Sequence, residues 1–173
     1  MSDSSATGAA APQVEAPVMP LRFLGQYIRD LSFEVPNAPS VFNEVRKYAP
    51  EIPVSIDTAV RHLGANHFEV SLTINIEATV NHRPAFVAEI VYAAVIEVDE
   101  RVIPQEQLHA VLLIEVPRHL FPFVRQIVGD VTVGGGFPPL MLQMVDFVEM
   151  YRRKFGDQPQ TIERKPAPQA ATA

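Results

Sequence analysis

No cysteine occurs in the 173 residues. That excludes disulfides, a thiolate nucleophile and cysteine metal sites. Positive charge is the scarcer sign: 14 lysines and arginines face 20 aspartates and glutamates, a net charge of −6. A nucleic-acid binder needs a basic stripe to neutralise phosphates, and attraction to an anionic bilayer needs clustered basic residues. Neither partner is expected, whereas an acidic surface favours solubility and basic partners. No apolar run reaches the ~20 residues of a membrane span. The first residues lack a basic stretch followed by an apolar one, so no signal peptide is expected.

Sites of bond-making chemistry are scarce as well. His62, His67, His82, His109 and His119 form no i, i+4 pair and no HExxH motif, so no metal site is expected. Gly134-Gly135-Gly136 is not followed by the Lys-Ser/Thr of a phosphate loop and reads as a helix stop. No serine sits in a G-x-S-x-G elbow. The acid pairs Asp99/Glu100 and Asp30/Glu34 read as surface charge rather than as a general acid and base in a cleft. No catalytic residue and no cofactor are expected.

What is present is a long alternation. From Phe68 to Val80 apolar residues (Phe68, Val70, Leu72, Ile74, Ile76, Ala78, Val80) alternate with polar ones. A period of two puts one set on a core face and the other in water. After a turn around Asn81–Pro84, a second strand from Ala85 to Val98 places Phe86, Ala88, Ile90, Tyr92, Ala94, Ile96 and Val98 on the core side. Its other side is half apolar, with Val87, Val91 and Val95. Two readings fit: the ordinary β-propensity of branched residues, or a second body covering that face.

Residues 1–20, rich in Ser, Ala, Gly and Pro, bury too little to offset ordering and are expected to be a disordered tail. Gln26–Val35 reads as a first strand. Strict alternation puts Tyr27, Leu31, Phe33 and Val35 on one face, and Ile28, Asp30, Ser32 and Glu34 on the outer one. Ser40–Tyr48 has room for a helical turn, and Val54–Val60 is a weaker strand. From Pro104 the period changes. Leu108, Val111, Leu112 and Val116, then Leu120, Phe123, Val124, Ile127, Val128 and Val131, lie at helical spacing. Pro117 and Pro122 are expected to kink or break that helix. Leu113, Ile114 and Phe121 fall off the main stripe, as if the helix touched a second body. Asp146, with Glu149 three residues on, opens a shorter helix that Gly156 closes. Residues 157–173 are expected to be a second disordered tail. The fold class is α+β: a four-stranded antiparallel sheet packed on a long kinked helix and a shorter C-terminal one, over residues 21–156.

Two stretches carry a family resemblance. Asp30-Leu31-Ser32-Phe33-Glu34-Val35-Pro36-Asn37-Ala38-Pro39-Ser40-Val41-Phe42 closely resembles the signature of SecB, the bacterial protein-export chaperone. Downstream, Pro117–Arg125, Gly135-Gly136-Phe137-Pro138-Pro139-Leu140 and Val145-Asp146-Phe147 follow in the same order and spacing. The resemblance implies an ATP-independent cytosolic holdase that binds unfolded preproteins and delivers them to the motor SecA. It implies a homotetramer, a dimer of dimers: protomers join edge to edge into a larger sheet and the dimers pair through the long helices. It implies SecA contact at Asp30, Glu34, Val87 and Glu89. It implies client contact at Phe42, Ile52, Val54, Ile56, Phe137 and Leu142, for which ordinary core is the competing reading. The tail carries Arg164 and Lys165 and little acid, unlike better-known members of the family. A SecB-like chaperone devoted to one client, such as an antitoxin, would share the fold. The retained Asp30, Glu34 and Glu89 favour the exporter. An enzyme or carrier using a pocket between sheet and helices is the third reading.

Overall fold

The computed structural model describes residues 20–156, 158 and 160–163. The two expected tails, with Arg164 and Lys165, lie outside the described residues apart from Pro20, Gln158 and 160–163. Strands β1 (Leu21–Glu34), β2 (Val54–Gly64), β3 (His67–Val80) and β4 (Arg83–Val98) form one antiparallel sheet in the order β1-β4-β3-β2. Helix α1 (Val41–Val45) lies in the crossover from β1 to β2, while α2 (Gln105–Gly134) and α3 (Phe147–Phe155) follow the sheet.

The β3–β4 hairpin turns through Asn81 and His82, at φ 47° and 60°. A two-residue loop with both φ positive matches the twist of the flanking strands, and asparagine tolerates that region. The tight turn fixes the register, so all seven inner residues of β3 pack into the core, Phe68, Leu72, Ile74 and Ile76 among its largest side chains.

β1 departs from strict alternation. Register shifts between Phe23 and Gly25, and between Ile28 and Asp30, each insert an extra residue. One inserted residue sends the residues beyond it to the opposite face. Tyr27 therefore pairs with Ala93 on the outer face and Ile28 with Tyr92 on the inner, the reverse of the sequence expectation. From Asp30 onward the expected faces hold.

Helix α2 crosses β2, β3 and β4. Every fourth residue faces the sheet, and Leu112, Val116, Leu120, Val124 and Val128 are completely buried. Pro117 and Pro122 do not end the helix. Each removes one helical N–H donor and costs about 3 kcal/mol in a helix interior; burial of the rows on both sides offsets it. Leu113 and Phe121 are also buried, and the Phe121 ring lies 6.0 Å from Phe147 of α3. Two of the three residues that suggested a second body are thus buried within the one chain. Surplus apolar surface lies elsewhere: Phe123 is 50% exposed and stacks on Tyr92 at 6.2 Å, beside Ile28, also 50% exposed.

Candidate functional site

The sheet separates two candidate surfaces. On its outer face Glu34 pairs with Val87 across β1 and β4, Ser32 with Glu89, and Asp30 with Val91. Paired residues share a face, so Asp30, Glu34, Val87 and Glu89 occupy three successive rows of one surface. Glu77 of β3 pairs with Val87 from the other side and extends the acidic patch; the sequence reading missed it. Asp30, Glu34, Glu77 and Glu89 have no ion-pair partner among the described residues. Like charges with no counter-ion concentrate a negative field there.

The other end of this face is neutralised. Glu69 is buried, at 4% exposure, on the side that alternation marks as wet. It accepts hydrogen bonds from Arg29 at 2.8 Å, Arg61 at 2.5 Å and Tyr27 at 3.0 Å. Burial raises its pKa, but the donors Arg61, Tyr27 and Arg29 outweigh burial and leave it below the usual glutamate value. Arg29 and Tyr27 reach Glu69 from β1 across β4, where Tyr27 faces a small residue, Ala93. Ala93 is fully buried within this one chain, so the half-apolar strip of β4 is covered in part by these long side chains.

The second surface lies where the crossover from β1 meets the connector after α2. Val45, Pro50 and Ile52 come from the crossover, Ala85 and Phe86 from β4, and Phe137–Leu140 from the connector. They enclose an apolar cavity of about 270 Å³. Two glycines, Gly135 and Gly136, precede Phe137 in the chain. A Cβ on Gly135 would stand 2.2 Å from Cε1 of Phe33, and one on Gly136, at φ 85°, would stand 3.2 Å from the Phe42 ring. Only residues without side chains let both rings close on the backbone. Phe42 packs on Phe137 at 5.4 Å, and Phe137 on Phe86 at 4.9 Å. The connector is pinned by Thr132, whose buried hydroxyl donates to the Val128 and Gly129 carbonyls and accepts the Leu140 N–H at 3.0 Å.

Of the residues expected to meet a client, Ile52 and Phe137 line this cavity, and Phe42 packs on Phe137. Val54 and Ile56 lie on the inner side of β2, the edge strand next to β3, and Val54 is exposed. Leu142 is buried in the core of the protomer. Phe86, Pro138 and Leu140 complete the cavity, and their sequence signal was the run of glycines and prolines that brings backbone and rings together.

A third cluster holds α3. Asp146 caps it by accepting the N–H groups of Val148 and Glu149, both at 3.0 Å. His109 of α2 meets the Tyr151 hydroxyl at 2.8 Å and the Phe155 ring edge-on at 4.8 Å. Burial, and then the nearby Lys154, hold the His109 pKa below its ordinary value, so this ring is neutral at pH 7. Among the described residues no group of histidine, aspartate and glutamate is arranged to hold a metal ion, and no helix is long and apolar enough to cross a membrane.

The family described as "Preprotein translocase subunit SecB" matches residues 14–158. The chain is 47% identical over 148 residues to the protein-export protein SecB of Paramagnetospirillum magneticum, covering 86% of this chain and 92% of the relative. It is 48% identical over 154 residues to that of Rhodospirillum rubrum, covering 89% and 90%. A solved SecB-like chaperone of Mycobacterium tuberculosis, in complex with a ChAD peptide from an antitoxin, shares the fold at a TM-score of 0.61 and 19% identity, over 72% of this chain and 90% of that one. A four-stranded antiparallel sheet backed by a long and a short helix, and a match over most of both chains, place this protein in the SecB family of protein-export chaperones.

Proposed function

We propose that the protein is a SecB holdase: it binds unfolded preproteins in the cytosol, without ATP, and passes them to SecA. The observation that carries this reading is the opposition of two surfaces on one sheet. An apolar cavity with an aromatic wall lies at one, and an acidic patch with no described counter-ions at the other.

Binding is passive. An unfolded chain exposes apolar and aromatic segments, and each square ångström buried contributes about 25 cal/mol, partly offset by ordering. A single cavity is weak, so several sites on one assembly are needed to raise the affinity by effective concentration. Assembly is supported by the sheet edges. Lys154 reaches the β2 edge, pairing with Asp57 and donating to the Thr58 carbonyl at 3.1 Å. The β1 edge has no partner among the described residues, yet it carries exposed Leu24, Ile28 and Leu31. A long bare edge of this kind pairs with another strand. We assign it to a second protomer, and exposed Phe123 on α2 to the contact between dimers, giving a tetramer. The acidic patch, Asp30, Glu34, Val87 and Glu89, is the landing site for SecA, with an on-rate that falls as salt rises. Retention of this patch favours the general exporter over a chaperone devoted to one client.

The test has two readouts. A denatured, aggregation-prone protein is diluted into buffer, and light scattering is followed with and without the chaperone. Suppression at about one tetramer per client is expected, and unchanged scattering contradicts the holdase. The double variant Asp30→Lys/Glu89→Lys is expected to suppress scattering as the natural protein does while its affinity for SecA falls at least tenfold. Equal loss of both activities would remove the outer face as a dedicated partner site.

A further inference from the structure

The stretch after α3 was expected to be free of the fold, yet part of it is seated. Ile162 packs against the hydrophobic core. Thr161, Ile162 and Glu163 form one wall of a cavity of about 500 Å³, whose opposite wall is Val60, His62 and Leu63 of β2 with His109 of α2. The volume falls in the range of ligand pockets, and the lining sets Val60, Leu63 and Ile162 beside Arg61, His62, His109 and Glu163. The segment is held lightly. It joins no strand of the sheet, and Gln160 contributes two hydrogen bonds of 3.4 Å, to the carbonyls of Phe155 and Gln158. β2 is also the strand that carries Val54 and Ile56, on the same inner side as Val60.

We propose that Gln160–Glu163 is a strap that occupies the β2 edge through Ile162 and competes there with an apolar segment of an unfolded polypeptide. The occupant to be displaced shows what the surface accepts: a branched aliphatic side chain on a stretch of chain with no regular structure. One partly buried side chain is a weak competitor. It excludes chance apolar contacts and yields to a client that brings several anchors at once. The strap rests on the holdase reading.

Because the chain has no cysteine, Thr161→Cys gives a single labelling site. An environment-sensitive dye there reports the strap, while anisotropy of a labelled, carboxymethylated and permanently unfolded protein reports client binding. Saturating client is expected to shift the dye emission to that of free dye in water. Ile162→Ser in the full chain is expected to tighten client binding about three- to tenfold, the factor that part-burial of one isoleucine is worth. Equal client affinity in Ile162→Ser and the natural chain, or unchanged dye emission at full client occupancy, overturns the strap and leaves the holdase standing. No client binding by either protein overturns both.

Discussion

Glu69 shows how a single residue can belong to a face without belonging to its solvent. Alternation places it correctly on the outer side of β3, and nothing local indicates that Arg29, Arg61 and Tyr27 close over it. Two of those partners come from β1, about 40 residues earlier in the chain, so the network is a product of strand order. Its lowered pKa makes a pH prediction. A carboxylate depressed in the folded state contributes stability that is fully present above the unfolded value, about 4.3, and is lost as pH falls through the lower folded value. Glu69→Gln is expected to cost about 1–2 kcal/mol at pH 7, the worth of charged hydrogen bonds reduced because both guanidinium groups stand half in water. The gap in Tm between variant and natural protein should close as pH drops from 5 toward 3. Parallel Tm curves over that range would show that the carboxylate is not held ionised by its neighbours.

At the level of elements, the long β3–β4 alternation, the period change at Pro104, the Asp146 cap and the glycine stop after α2 were all legible, because each depends on a few neighbouring residues. The errors arose where distant contacts decide. The β1 bulges answer to β4 and reverse Tyr27 and Ile28. Pro117 and Pro122 were expected to kink or break α2, and of these two outcomes the break is absent, because the helix runs on through both prolines. Asp30 and Glu34 were read on the right face because they lie beyond the last bulge of β1. The cavity was only partly legible, since its residues come from three separated segments. Thr132 ties one of them, the connector, to α2, and a threonine in a helix gives no sign that its hydroxyl serves a connector eight residues later. Thr132→Val keeps the shape and removes the acceptor for the Leu140 N–H. The expected cost is about 1–3 kcal/mol, that of a buried donor left unpaired, read as a lower urea midpoint. Client affinity should fall with it, because Phe137–Leu140 form the cavity wall. A variant with unchanged midpoint and affinity would show that the connector is held without Thr132.

The molecule as a whole hides most of its apolar surface but not all. Part of the remainder lies along β1, at Leu24, Ile28 and Leu31, and at Phe123; another part, Val133, Met141 and Met144, lies at the end of α2 and in the connector after it. Isolated exposed apolar residues need no explanation; contiguous ones on a bare strand edge do. Phe123→Asp is therefore expected to leave the protomer folded, as judged by circular dichroism, while the assembly drops from four copies to two. The same change at wholly buried Val128 would instead unfold the chain. An intact Phe123→Asp tetramer would mean that α2 does not form the contact between dimers.

Everything in the functional reading depends on surplus apolar surface being used first for self-association and then for holding non-native chains. The most direct test is native mass spectrometry of the purified protein, alone and with an equimolar unfolded preprotein. The predicted result is a particle of four times the 19.1 kDa protomer that gains the mass of one client. A 19.1 kDa species that gains none would contradict it.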